Sequence, residues 1–122
     1  MAKKTILTVD DSASVRQVVA IALETAGYGV VQAADGLEAL VRLKDASIDM
    51  IITDINMPNL NGIDLIKQVR TTPGYKFTPI VLLTTVTDEA KKQEGRAVGA
   101  TAWITKPFTP DQLRAVVKKV LG

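Results

Sequence analysis

The sequence has 122 residues, of which 47% are hydrophobic and 23% are charged, so we expect an ordinary globular chain with a single domain over residues 1–122. It contains neither Cys nor His, which excludes disulfides, thiolate or imidazole metal ligands and a catalytic His, and no apolar stretch approaches the ~20 residues of a membrane span. Fifteen basic and thirteen acidic residues are scattered along the chain and give a net charge of +2, which favours a cytoplasmic protein that binds neither nucleic acid nor membrane.

Short segments rich in β-branched residues alternate with helical patterns along the chain. Strands are predicted at Thr5–Val9, Val30–Ala33, Met50–Thr53, Ile80–Leu83 and Ala102–Thr105. Three of these segments are nearly continuous in apolar residues, as expected for parallel strands covered by helices on both faces. Because a helix is predicted after every strand, the sequence indicates a doubly wound α/β fold with five strands and five helices.

The helices are predicted from capping residues and from the spacing of apolar residues. Asp35 to Glu38 and Thr109 to Gln112 each fit a capping box, in which two side chains satisfy backbone donors at a helix start. Apolar residues at helical spacing predict the buried faces. They are Val15, Val18, Val19, Ala22 and Leu23 in the first helix, Leu37, Leu40 and Val41 in the second, Ile63, Ile66 and Val69 in the third, and Leu113, Val116, Val117, Val120 and Leu121 in the last.

Side chains suited to chemistry follow the strands at their carboxyl ends, where open α/β sheets bind ligands. Asp10 and Asp11 follow the first strand, Asp54 the third, Thr84 the fourth and Lys106 the fifth. Three converging carboxylates favour a raised pKa or a bound cation, and hard oxygen ligands at an open edge favour Mg²⁺. Lys106 and the Thr84 hydroxyl could pair with phosphoryl oxygens, and the central Asp54 is the best-placed nucleophile.

Each of these residues also has a structural interpretation when it is taken alone. Asp10 and Asp11 could cap the first helix, and Asp54 could be a turn residue. Thr84 could be an ordinary strand residue, and Lys106 a solvated surface residue. Only the joint pattern favours a phosphoryl site.

Five separated elements together resemble the receiver domain of two-component response regulators, over essentially the whole chain, and in particular its stand-alone chemotaxis members. These elements are Asp10-Asp11, Asp54-Ile55-Asn56-Met57-Pro58, Thr84 and Lys106-Pro107-Phe108. The resemblance implies a flavodoxin-like, five-stranded parallel sheet with strand order 2-1-3-4-5. It also implies that Asp54 is the phosphoacceptor, and that Mg²⁺ is bound by Asp11, Asp54, the Asn56 main-chain carbonyl and, through a water, Asp10.

The resemblance assigns roles to other residues as well. Lys106 would pair with the phosphoryl group, and the Lys106–Pro107 peptide would be cis. Thr84 would bond the phosphoryl group in the active state while Trp103 turns inward as a switch, although Trp103 taken alone could simply be a packing residue. Val86 lies at a position that tunes hydrolysis in the family; because an apolar side chain cannot orient an attacking water, we expect slow loss of the phosphoryl group.

The implied function is that of a signalling protein and not of an enzyme. The resemblance implies a histidine kinase as phosphodonor and a downstream protein, such as a flagellar motor switch, that reads the surface of the fourth helix, fifth strand and fifth helix. A phosphatase is a further expected partner, and a monomer without a DNA-binding or catalytic output domain is expected.

Several alternative functions stay open at this point. They include a phosphorelay intermediate, a phosphate sink and a scaffold that is never phosphorylated. A phosphohydrolase with an aspartyl-phosphate intermediate is disfavoured because Asn56 stands where such enzymes place a second acid. A flavodoxin-like electron carrier is disfavoured because Asp10 and Asp11 would repel a flavin phosphate.

Overall fold

The computed structural model describes residues 3–85 and 89–121, over which strands and helices alternate. The strands are β1 (Thr5–Val9), β2 (Gly29–Ala33), β3 (Met50–Asp54), β4 (Ile80–Thr84) and β5 (Ala102–Thr105). The helices are α1 (Ala13–Thr25), α2 (Gly36–Asp45), α3 (Gly62–Arg70), α4 (Glu89–Ala97) and α5 (Pro110–Leu121). The five predicted strands are confirmed, each with bounds within one residue. In the described part of the chain, no helix combines the length and apolar character needed to cross a membrane.

The strands form one parallel sheet in the order β2-β1-β3-β4-β5, which confirms the expected fold class. The chain reverses its direction across the sheet between β1 and β3, and these two strands are hydrogen-bonded neighbours. Val9 is in register with Thr53, and Asp54 with Leu83. The residues that follow Val9 and Thr53 therefore lie side by side at the carboxyl edge of the sheet, where ligands bind in this architecture.

Two hydrophobic clusters cover the two faces of the sheet. Successive strand residues point to opposite faces, so Ile51 lies in the cluster with α2 and α3 whereas Ile52 lies in the cluster with α1 and α5. The predicted buried residues of α3 are confirmed, since Ile63, Ile66 and Val69 are at most 5% exposed. Because hydrophobic clusters cover both faces of the sheet, polar side chains that could bind a ligand are accessible at its edges.

The predicted buried face of α2 is wrong at Leu37 and Val41, whereas Leu40 packs partly buried against the core, and the predicted face of α1 is wrong at Val18. Leu37 and Val41 are 53% and 52% exposed, and Val18 of α1 is 51% exposed. The small residues of α2 face inward instead, because a Cβ at Gly36 would lie 2.5 Å from the Leu60 carbonyl oxygen. This close approach turns Leu37 and Val41 toward solvent, whereas Leu43 stays buried.

Short polar side chains directly before α1, α2, α3 and α5 cap these helices. The N-cap of α1 is Ser12, whose hydroxyl accepts a hydrogen bond from the Val15 N–H, so the interpretation of Asp10 and Asp11 as its caps is wrong. The capping box at α5 is confirmed, with Thr109 and Gln112 bonding each other's backbone N–H at 3.1 and 2.8 Å. Asp10 Oδ1 accepts the Ser12 N–H at 2.9 Å, and both aspartates lie at the carboxyl edge of the sheet.

Asp35 caps α2, because its side chain accepts the Glu38 N–H at 2.8 Å. This is the bond expected of Asp35 in the capping box predicted at Asp35 to Glu38. This bond holds the pKa of Asp35 below its ordinary value, and a second bond from the Asn59 amide, at 2.7 Å, adds to the effect. The Glu38 side chain is paired with Arg42 one turn further along the helix. The cap therefore also connects α2 to the loop that follows β3.

Candidate functional site

Three carboxylates meet at the carboxyl edge of the sheet, next to the crossover between β1 and β3. One carboxylate oxygen from each of Asp10, Asp11 and Asp54 lies within 4.8 Å of the other two. Mg²⁺ binds oxygen ligands at about 2.0–2.1 Å, so adjacent ligands of one ion lie about 3 Å apart. The spacing fits such an ion after small side-chain movements or with an intervening water. The Asp10 side chain is 1% exposed while Asp11 is exposed, so the cluster is open to solvent on one side.

Lys106 brings a positive charge to this cluster from the end of β5. Its Nζ lies 3.4 Å from Asp10 Oδ2 and 3.3 Å from Asp54 Oδ2. The Lys106 N–H donates to the Thr84 carbonyl at 2.6 Å, and the Lys106–Pro107 peptide is cis, as expected. An ammonium group between two carboxylates partly offsets their repulsion and leaves donors available for a further anionic oxygen.

Burial raises the pKa of the Asp54 carboxyl above its ordinary value, and the neighbouring Asp10 charge acts in the same direction. Lys106 and the Ile55 N–H, which donates to Asp54 Oδ1 at 2.8 Å, lower this pKa in opposition. A carboxylate that is poorly solvated and has a raised pKa is more basic. It is therefore a better nucleophile than a carboxylate in water.

Thr84 ends β4 with a buried hydroxyl. The side chain is 1% exposed, and its Oγ1 has no hydrogen-bond partner within residues 3–85 and 89–121. Thr84 pairs in register with Thr105, the residue before Lys106. Leaving a buried hydroxyl without a partner costs about 1–3 kcal/mol. The Thr84 hydroxyl is therefore a donor that an anion arriving at this edge could satisfy.

The loop after β3 is held in place by Gly62, a residue that is not among the predicted site residues. The Gly62 N–H donates to the Ile55 carbonyl at 2.8 Å, and a Cβ at this position would lie 2.3 Å from the Asp54 carbonyl oxygen. Any other residue would push the Asp54 backbone away. A glycine directly after Asn61, the N-cap of α3, was the available signal.

Asn56, the residue expected to offer its main-chain carbonyl to the metal, lies on the exposed part of the same loop. Its side-chain oxygen accepts a hydrogen bond from Lys91 Nζ of α4 at 2.5 Å. This contact was not anticipated from the sequence. Asn56 directly follows Ile55, whose carbonyl accepts the Gly62 N–H, and it lies two residues after Asp54.

Trp103 lies half-buried in β5, at the edge of the sheet, and packs against the core cluster on the α2–α3 face. Lys92 Nζ of α4 lies 5.7 Å from the centre of its ring and 3.8 Å from Glu89 Oε2. No local sequence pattern indicates this cation–π contact. Val86, the position expected to tune hydrolysis, lies outside the described residues.

An apolar groove of about 440 Å³ lies beside Lys106, between α1 and the chain that follows β5. The exposed Val18 lines it together with Val15, Pro107 and Phe108. The groove explains why the outward position of Val18 carries an apolar side chain. It places an apolar surface directly next to the carboxylate cluster.

The family model of the response regulator receiver domain matches residues 6–118 of the chain. Among curated proteins, the chain is 40% identical to chemotaxis protein CheY1 of Helicobacter pylori, with 96% of each chain covered. It is also 40% identical to the phosphate regulon transcriptional regulatory protein PhoB of Pseudomonas aeruginosa, over 99% of this chain. The chain spans only 53% of the length of PhoB.

Solved structures show the same likeness. The chemotaxis protein CheY4 of Vibrio cholerae superposes with a TM-score of 0.94 and 52% identity, covering 98% of this chain and 100% of that one. The receiver domain of sensor histidine kinase PA1611 from Pseudomonas aeruginosa, solved with a magnesium ion in its active-site cleft, superposes with a TM-score of 0.90 at 26% identity, covering 99% of each chain. With this fold, this carboxylate cluster and a family model that matches nearly its whole length, the chain belongs to the response regulator receiver domains, and within them it is CheY-like.

Proposed function

We propose that this protein is a response regulator in which Asp54 accepts a phosphoryl group from the phosphohistidine of a kinase, with Mg²⁺ bound beside it. Receiver domains are signalling proteins and not classical enzymes. The observation that supports the proposal best is the position of Lys106 Nζ, 3.3 Å from Asp54 and 3.4 Å from Asp10 within the carboxylate cluster. A nucleophile, a metal-ligand set and a phosphoryl-binding cation lie together in this arrangement.

In the proposed step, an Asp54 oxygen attacks phosphorus. A P–O bond forms as the P–N bond breaks, and the imidazole leaves with the electron pair. Asp10, Asp11, Asp54 and the Asn56 main-chain carbonyl would hold Mg²⁺, which supplies neutralisation of charge on the phosphoryl oxygens when it is bound. Lys106 pairs with a phosphoryl oxygen, because its ammonium group already lies against the acceptor.

In the proposed mechanism, the conformational signal arises because the phosphoryl oxygens accept hydrogen bonds that the unphosphorylated protein does not form. The buried Thr84 hydroxyl gains a partner, and the interactions that exist only in the phosphorylated state shift the conformational equilibrium. We propose that Trp103, in the next strand, follows Thr84 and changes the surface formed by α4, β5 and α5.

The surroundings of Trp103 suggest the chemistry of the downstream partner. Lys92 lies over the ring, and Arg96 and Lys119 line the grooves on its two sides. Such a surface fits an acidic segment with an apolar anchor. The likeness to CheY1 and CheY4 supports a partner in chemotaxis, such as the flagellar motor switch, whereas the likeness to PhoB supports other two-component pathways.

The apolar groove beside Lys106 is the surface on which we propose the kinase docks. A helix of the donor that covers Val18 and Phe108 would bring its phosphohistidine to the adjacent Asp54. The proposal includes a monomeric protein, one receiver domain over residues 1–122, and action in the cytoplasm, with a phosphatase as a further partner.

Intact-mass measurement after incubation with acetyl phosphate tests the proposal directly. One phosphoryl adduct is expected on the parent protein in the presence of Mg²⁺, and none without Mg²⁺ or on Asp54→Asn. An Asp11→Asn variant, which removes a metal ligand and keeps the acceptor, should form the adduct only at higher Mg²⁺ concentration. An adduct of equal yield on Asp54→Asn would overturn the assignment of the acceptor.

A further inference from the structure

The loop that carries Asn56 is anchored next to this residue by the contacts around Asp54, and further along by the bond from Asn59 to Asp35. Ile55, the preceding residue, is fixed by the Gly62 N–H at 2.8 Å, and its own N–H is bonded to the Asp54 carboxylate. Asn56 itself is exposed, and it precedes the turn in which Asn59 has a φ of 67°. Its main-chain carbonyl is thus placed by the loop and not by a strand.

Lys91 holds this loop from the opposite side. It lies in the first turn of α4, and its Nζ donates to Asn56 Oδ1 at 2.5 Å across a separation of 35 residues. The two residues face each other across a groove of about 200 Å³ that Asp64 and Glu94 also line. The next residue, Lys92, lies over Trp103. Consecutive residues of one helix therefore touch the loop after the phosphoacceptor and the tryptophan of β5.

We propose that Lys91 is a positioning residue for the cation at the carboxylate cluster. By binding the Asn56 side chain, it holds the Asn56 main-chain carbonyl where the cation needs an oxygen ligand, and it makes cation binding and the position of α4 depend on each other. This inference rests on the proposed function, because it takes the Asn56 carbonyl as a ligand of Mg²⁺. Linkage is reciprocal, so a cation that favours the bonded loop also favours the Lys91–Asn56 contact.

Two effects of Lys91 on the cation have opposite signs, which allows them to be separated. Its positive charge repels Mg²⁺, so a neutral side chain would tighten binding if charge alone mattered. Its hydrogen bond orders the loop, so loss of the bond weakens binding if positioning dominates. Because Lys91 is exposed, solvent screens its charge, and we expect the positioning effect to be larger.

Calorimetric titration of Mg²⁺ into the protein without phosphodonor separates these effects. Lys91→Met removes both the hydrogen bond to Asn56 and the positive charge. Asn56→Ala removes the hydrogen bond and keeps the charge of Lys91. Each is expected to weaken Mg²⁺ binding about two- to fivefold, which corresponds to the net worth of one hydrogen bond. In the Asn56→Ala background, Lys91→Met should cause no further weakening. Lys91→Arg, which keeps a cationic donor, should bind Mg²⁺ nearly as the parent does.

Lys92→Met is the matched control, since it removes the same charge one residue further along α4 from a side chain that contacts Trp103. It should not weaken Mg²⁺ binding, and the urea midpoints of the Lys91 and Asn56 variants should agree closely with that of the parent because both residues are exposed. Equal or tighter binding by Lys91→Met in both backgrounds would overturn the inference and leave the proposed function intact. If the parent protein bound no Mg²⁺, the metal site of the proposed function would fail together with it.

Discussion

The ionised Asp54 carboxylate destabilises the folded protein. Its side chain is only 15% exposed and lies near the Asp10 carboxylate, and burial is the main reason why its pKa is raised. Lys106 and the Ile55 N–H compensate only in part. The features that make Asp54 a good nucleophile are thus the same features that destabilise its ionised form.

The Asp54→Asn variant should therefore unfold at a higher urea concentration than the parent, at about pH 7 and without divalent cation. A raised pKa in the folded state means that ionised Asp54 disfavours folding, and this penalty is absent below the ordinary value of 3.8. The advantage of the variant should consequently disappear as the pH falls toward 3.8. Asp11→Asn, at the exposed member of the cluster, should give a smaller gain. A lower midpoint for Asp54→Asn at neutral pH would contradict this account.

Thr84 and Thr8 allow a paired test of the unpartnered hydroxyl. Both are buried threonines without a hydrogen-bond partner among the described residues, and only Thr84 lies at the end of β4 next to the site. Replacing either by Val should stabilise the protein by about 1 kcal/mol in urea unfolding, because an unsatisfied buried hydroxyl is removed without a change in shape. Only Thr84→Val should reduce the additional stability conferred by Mg²⁺ and beryllofluoride, a phosphoryl mimic. An equal reduction in both variants would argue against a specific role for Thr84.

At the scale of elements, the site depends on how loops meet strands and on which helix faces stay uncovered. Gly62 lets α3 begin against the Asp54 backbone, and Gly36 lets α2 approach Leu60 in the same loop. Helix α1 leaves Val18 in an apolar groove beside Lys106. These contacts fix the loop after Asp54 from two helices and leave the apolar groove that we propose as the kinase surface next to it.

Gly62→Ala should destabilise the protein by about 3 kcal/mol, since its Cβ would lie 2.3 Å from the Asp54 carbonyl oxygen and the backbone must move. The same movement should slow adduct formation with acetyl phosphate. Gly29→Ala is the control, because its Cβ would lie 3.3 Å from the Thr5 hydroxyl, far from the site, and the cost should be smaller. Urea unfolding of the two variants measures the difference, and equal costs would show that the loop adapts.

Val18→Asp tests the groove as the kinase surface, with Val41→Asp as a matched control on α2. Both residues are about half exposed, at 51% and 52%, so both variants should fold. With a histidine kinase that phosphorylates the parent, Val18→Asp should slow phosphotransfer about tenfold, a loss of about 1.4 kcal/mol, because a charge replaces an apolar contact. Val41→Asp should not slow it, and acetyl phosphate should react equally with both. Normal transfer from the kinase to Val18→Asp would place the docking surface elsewhere.

At the scale of the whole molecule, the sequence was sufficient to predict the strands, the helices and most of the site residues at the carboxyl edge of the sheet. Alternating strand and helix patterns predict a parallel sheet, and parallel strands must place Asp10, Asp54 and Lys106 at one edge. The strand order came from the family resemblance. The exposure of Val18 could not be predicted, because apolar spacing marks a helix face without showing whether the protein or a partner covers it.

Contacts between loops and helices were also beyond prediction. The bond from Lys91 to Asn56 and that from Asn59 to Asp35 join residues 35 and 24 positions apart. Their side chains meet because of how elements pack, which no local pattern encodes. The same holds for the Thr84 hydroxyl, whose lack of a partner among residues 3–85 and 89–121 depends on every neighbour around it.

The central claim is that phosphorylation of Asp54 changes the surface around Trp103. Because Trp103 is the only tryptophan in the sequence, its fluorescence reports on this surface alone. Adding acetyl phosphate with Mg²⁺ should change its emission in the parent protein, in step with the phosphoryl adduct seen by mass, and leave Asp54→Asn unchanged. A protein that is fully phosphorylated by mass with unchanged Trp103 emission, or an equal change in Asp54→Asn, would contradict the account.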